Sequence, residues 1–184
     1  GAAPRRVLDD RTVIVAAPGA AAGCGRLMGA RVVTPPGATG DVGSDLVAKT
    51  REALAALRDP GVRTVVVHVG GADEAAHHRD RLGKRAMLEA ADADVVAPLA
   101  RAAREARAVI AVTSDHATCV QTGRHDADPV PLVVAGPGVA PSGAVRLHER
   151  LVARAHVWDA PFAPLQLRRR PRPRSDARGR APQP

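Results

Sequence analysis

The stretch "RTVVVHVGGADEAAHH", residues 63–78, decides how the chain is read. Its first half is an unbroken β-branched run, which suits a strand covered on both faces. Its second half breaks at Gly70-Gly71 and turns to helix-forming residues, with Asp73 and His77 four positions apart. A strand that feeds a helix through a glycine turn is the unit of a parallel α/β sheet.

The same alternation extends outward. "TVIVAA" (12–17) reads as a buried strand, "AAAGCGRLMG" (20–29) as a turn leading into a short helix, and "RVVT" (31–34) as a second strand. Residues 44–58 read as a helix capped by Ser44, with Leu46, Val47, Leu54 and Leu57 at helical spacing. Residues 81–106 read as one long helix, bent near Pro98, and "AVIAVT" (108–113) and "PLVVAG" (131–136) as further strands. The expected class is α/β, a mostly parallel sheet flanked by helices. Residues 1–139 form the expected core domain, 140–167 a weaker closing segment, and 168–184 a disordered Arg/Pro-rich tail.

Composition narrows the function. One Phe, one Trp and no Tyr leave no aromatic platforms for stacking bases or sugars. The net charge of +8 suggests a nucleic-acid partner, but seven Arg against one Asp in residues 168–184 supply +6 of it. Residues 1–167 keep only +2, so no specific nucleic-acid partner is expected and the basic tail binds polyanions weakly. Cys24 and Cys119 make neither a disulfide framework nor a CxxC pair. No run reaches the roughly 18 apolar residues that span a bilayer. A cytoplasmic setting without membrane contact is the expectation.

Charged and titratable groups gather just past two of the strands. Asp73 and His77 follow the first; Asp115 and His116 follow the second, with His125 in the loop that leaves it. In open α/β sheets ligands bind beyond the carboxyl ends of strands, where both clusters fall. Carboxylate plus neutral imidazole suits Mn2+, Zn2+ or Fe2+. Plainer readings exist for each residue alone. Asp73 serves equally as a helix cap, and an Asp-His dipeptide in a loop is usually surface polarity. His68 and His78 read as packing or solvent-facing residues, Cys119 as a buried structural thiol and Lys84 as a solvated surface cation. The Thr39-Gly40 loop reads either as a turn or as part of a substrate cavity.

Three segments in order, "VHVGGADEAAHHRD", "TSDHATC" and "HDADPVPLVV", resemble the metal-binding half of the alkaline phosphatase superfamily. The resemblance is closest to the archaeal-type, 2,3-bisphosphoglycerate-independent phosphoglycerate mutases, and "GRLMGARVVTPPGATGDVGSDLVAKTREAL" extends it upstream. It covers residues 12–139 and implies an alkaline-phosphatase-like core, present in part. By that resemblance Asp73, His77 and His125 hold one divalent metal, and Asp115 and His116 help hold a second. Mn2+ is the leading expectation, with Mg2+, Zn2+ or Co2+ as alternatives. The implied activity interconverts 3-phosphoglycerate and 2-phosphoglycerate through a phosphoserine.

Neither the nucleophilic serine of such mutases nor the remaining ligands of their second metal has a counterpart here. The four serines are Ser44, Ser114, Ser142 and Ser175, and none lies in the corresponding context. The chain therefore resembles the C-terminal part of a larger enzyme. The expected partners are phosphoglycerate or a similar small phosphorylated acid, and a separate chain that supplies the missing half. The alternatives are a related phosphoryl-transfer enzyme acting on a phosphonate or other phosphoester, and a non-catalytic metal-binding remnant.

Overall fold

A computed structural model describes residues 7–143, 146–148 and 150. All four residues of β1 (Thr12–Val15) are buried, and their β-branched side chains serve both faces of the sheet. Helix α1 (Ala20–Met28) leads to β2 (Arg31–Val33), and α2 (Leu46–Arg58) leads to β3 (Thr64–Val67). The three strands form a parallel sheet in the order β2-β1-β3. Val13 and Val15 pack against Ala53 and Ala56 of α2, while Ile14 and Ala16 pack against Ala22 of α1. Helices thus cover both faces, and the α/β class expected from sequence is borne out.

Two details of α2 differ from the sequence reading. Its cap is Asp45, whose Oδ1 accepts the Ala48 amide at 2.7 Å. Ser44 keeps a buried hydroxyl without a hydrogen-bond partner among the described residues. The buried face is built from Leu46, Ala48, Lys49, Thr50, Ala53 and Ala56, whereas Val47 and Leu57 are exposed. Alanines let the helix lie close to β1, so small residues and not the large aliphatics mark the inner face.

The expected long helix is present as a continuous run with one irregular turn. Helix α3 (Gly71–His77) follows β3, and α4 (Arg81–Ala91) then runs through a π turn (Asp92–Val96) into α5 (Ala97–Glu105). Pro98 has no amide proton for the carbonyl of Asp94, four residues earlier. The Thr50 hydroxyl donates to that carbonyl instead, at 2.6 Å. The irregularity therefore lies one turn before the proline, where its missing donor is felt. Met87 and Val95 pack with Leu46 beneath the turn that carries α3.

The C-terminal strands depart from a parallel arrangement. β4 (Ile110–Thr113) pairs antiparallel with β7 (Leu132–Ala135), and β5 (Ala117–Cys119) pairs antiparallel with β6 (Arg124–Asp126). The strands at 110–113 and 132–135 were expected, but the hairpin between them was not. Its segments, Ala-Thr-Cys and Arg-His-Asp, are short and polar and carry no apolar periodicity. No helix among the described residues is long and apolar enough to cross a membrane. The expected tail at 168–184 and nearly all of the closing segment at 140–167 lie outside the described residues.

Candidate metal centre

The site begins where β3 stops. The His68 amide donates to Val15 O at 2.9 Å, which prolongs the pairing with β1 by one residue. Lys49, fully buried on α2, donates from its ammonium to the His68 carbonyl at 3.0 Å. Beyond it the backbone turns at Gly70-Gly71, where the Gly40 and Asp41 carbonyls approach closely. A β-carbon on either glycine would stand 2.9 Å from one of those oxygens. The Thr39-Gly40 loop is thus packed on the turn that launches α3.

Helix α3 presents Asp73 in its first turn and His77 in its last, on one face because they are four residues apart. Gly70 occupies the cap position and no side chain caps the helix, so the cap reading of Asp73 is set aside. His77 Nδ1 lies 2.8 Å from the Gly123 carbonyl. A carbonyl only accepts, so Nδ1 donates, and in the neutral ring Nε2 is then the nitrogen with the lone pair. That Nε2 stands 3.1 Å from His125 Nε2 and 3.3 Å from Asp73 Oδ2. His125 Nε2 is 3.7 Å from Asp73 Oδ1.

These spacings fit a metal. Ligand atoms about 2.1 Å from a common ion sit roughly 3–3.5 Å from one another. One ligand atom each from Asp73, His77 and His125 lies within 4.8 Å of the other two, and the three residues are partly open to solvent. The tautomer of His77 is the one a metal ligand needs, with the far nitrogen engaged by protein. The donor set, two imidazoles and a carboxylate, suits a divalent transition metal.

His125 reaches this point because the β5–β6 hairpin turns at Gly123. That residue has φ +69°, and a β-carbon on it would meet the His77 carbonyl at 2.9 Å. The hairpin is thus seated on the end of α3. Within it, Thr118 opposes His125 in register. The Thr118 hydroxyl donates to Asp73 Oδ1 and lies 3.2 Å from His116 Nδ1. Burial pushes the Asp73 carboxyl up, but the Thr118 hydroxyl and the His77, His116 and His125 rings outweigh it and hold it below the usual value.

Asp115 and His116 are brought beside this cluster without joining its three-residue set. His116 stacks on His125 with ring centroids 3.7 Å apart. Its Nε2 lies 3.5 Å from Asp115 Oδ2, and the Asp115 side chain is largely exposed. His68 is half-buried; burial first, then the Lys49 charge, lowers its pKa and favours the neutral ring. His78 closes α3 through its amide and is exposed. Cys119 is half-buried and points its thiol at Gln121 Oε1, 3.0 Å away, not at the cluster. Lys84 is not a free surface cation: its ammonium donates to the Thr118 carbonyl at 2.6 Å.

Sequence reasoning missed Thr118, Gly123 and Lys49. A threonine in a short polar run and a glycine in a turn give no signal alone. Lys49 was legible in principle, since it shares a helix face with Ala53 and Ala56.

A model of the metalloenzyme superfamily matches residues 11–159. A 2,3-bisphosphoglycerate-independent phosphoglycerate mutase of Ignicoccus hospitalis is 41% identical over 130 residues, covering 71% of this chain and 30% of that protein. One of Archaeoglobus fulgidus, the mutase numbered 1, is 39% identical over 67% of this chain and 29% of its own length. The solved structure of the PH0037 protein from Pyrococcus horikoshii superposes with a TM-score of 0.72 at 32% identity, over 78% of this chain and 42% of that one. The chain spans about 30% of the length of the curated relatives it matches. With the match running from ahead of β1 to beyond β7, the chain belongs to the metalloenzyme superfamily.

Proposed function

We propose that Asp73, His77 and His125 hold one divalent metal, Mn2+ foremost, and that Asp115 and His116 help hold a second. On this reading the chain is the metal-holding part of a phosphoglycerate mutase that interconverts 3-phosphoglycerate and 2-phosphoglycerate without a diphosphorylated cofactor. The observation that carries it is the convergence of the two Nε2 atoms and the Asp73 carboxylate, in a chain whose relatives bear that name. A divalent metal bound there supplies Lewis-acid stabilisation of charge on a transferring phosphoryl group.

The chain's own residues prepare the site. The Gly123 carbonyl keeps His77 in the ligand tautomer. Asp73 offers a carboxylate already favoured in its ionised form. The shared helix face of α3 fixes the separation of its two ligands. The serine that takes the phosphoryl group comes from outside residues 1–184, in a longer product or a separate chain. Ser44 has a buried hydroxyl, and Ser114 directly precedes the ligand candidate Asp115. A cytoplasmic setting, with phosphoglycerate or a similar phosphorylated acid as ligand, belongs to the same proposal.

Two measurements test it. Titration with Mn2+ should lose one tightly bound ion on His77→Ala or His125→Ala; unchanged stoichiometry in both overturns the site. For the activity, the native protein is purified from its own organism, weighed intact and assayed for mutase turnover. A mass well above 19.0 kDa together with turnover supports the reading. A native product of that mass with no turnover, alone or with co-purifying chains, overturns it.

A further inference from the structure

The two proposed metal positions share a support. We infer that Thr118 is a positioning residue whose single hydroxyl orients a ligand of each metal, Asp73 and His116, at the same time. The inference rests on the metal reading above and deepens it.

Proton accounting carries the case. A threonine hydroxyl has one proton to give and lone pairs to accept with. Asp73, ionised, only accepts, so the Thr118 proton is committed to Asp73 Oδ1. The contact of 3.2 Å with His116 Nδ1 must then run the other way, with the ring nitrogen donating to the hydroxyl oxygen. In the neutral ring this puts the His116 proton on Nδ1 and leaves Nε2, 3.5 Å from Asp115 Oδ2, as the free nitrogen. A metal-ligating imidazole needs that division of roles. One hydroxyl thus fixes both the carboxylate rotamer of Asp73 and the tautomer of His116.

The hydroxyl is itself held in place. Thr118 is 7% exposed, and its strand pairs with the strand of His125. Its carbonyl accepts from the Lys84 ammonium of α4 at 2.6 Å. Helix α4, the hairpin and helix α3 therefore meet at one residue. Buried hydroxyls with every bond assigned restrict their neighbours more than isolated pairs do. Loss of the hydroxyl should weaken both metal positions, whereas loss of His77 should weaken one.

The test uses the full chain and two readouts. Nitrogen-15 spectra of His116 in the metal-free wild type, taken where the ring is neutral, should show a protonated Nδ1 and a bare Nε2. A protonated Nε2 overturns the inference whether or not any metal binds. Thr118→Val, which keeps the shape and removes the hydroxyl, should lose that single tautomer and weaken Mn2+ binding by about 10–100-fold. Thr118→Ser should restore both to within a few-fold of wild type. Wild-type affinity and an unchanged tautomer in Thr118→Val overturn the proposal. If Thr118→Val does not fold, the wild-type spectrum and the serine variant still decide it. Failure of the metal reading itself looks different: Mn2+ stoichiometry is then insensitive to His77→Ala, while the His116 spectrum stands apart.

Discussion

The sheet around β1 and the strands from β4 onward are held together by different forces. Val13 and Val15 are fully buried between helices, and apolar burial accounts for that region. β4 alternates half-buried with exposed residues, and β6 is exposed throughout. The hairpin is instead joined to the helices by polar links: Thr118 to Asp73, Lys84 to Thr118, and His77 to Gly123. Each link ends on a metal-ligand candidate or on its immediate support. The difference implies that stability resides in the first region, and the proposed metal position lies in the seam between the two.

That division can be broken by substitution. Val13→Ala removes buried methyl groups and leaves a cavity, so denaturant unfolding should show a loss of about 2–3 kcal/mol. Mn2+ stoichiometry of the still-folded variant should be unchanged; a parallel loss would mean the two regions do not separate. Gly123→Ala acts at the seam. It forces a side chain into the left-handed region and against the His77 carbonyl, costing about 1–2 kcal/mol. Mn2+ binding should weaken with it, and intact binding would remove the hairpin from the site.

Smaller effects sharpen the first region. Asp45→Ala should cost about 1 kcal/mol through loss of the α2 cap. Ser44→Ala should be neutral or slightly stabilising, because its hydroxyl is buried without a partner among the described residues. The reverse order in thermal melts would return the cap to Ser44. The smallest effect concerns His68. Its folded-state pKa lies below 6.5, so its contribution is complete above the unfolded value and is lost as pH falls through the folded one. His68→Gln should flatten the fall in melting temperature between about pH 7 and pH 5; an unchanged slope would assign the fall to other groups.

How much was visible beforehand follows the same boundary. The β-branched run of β1 and the spacing of Asp73 and His77 are local patterns, and both could be read directly. The antiparallel pairing of β4 with β7 is a non-local choice that no short window encodes. His125 was identified as a ligand candidate, but the hairpin that delivers it was not, because its strands are three polar residues each. Thr118 carries no signature in sequence since its role depends on three elements meeting around one hydroxyl. The cap of α2 was misplaced by one residue because Ser44 and Asp45 are both good caps, and only the geometry chooses between them.

If a metal ties the hairpin to α3, hydrogen exchange should register it. Amide exchange should be followed with and without saturating Mn2+, in wild type and in His77→Ala. Metal should slow exchange across residues 73–77 and 117–126 in wild type alone, leaving the β1 amides as they were. Equal exchange of the hairpin with and without Mn2+, or the same protection in His77→Ala, would contradict it.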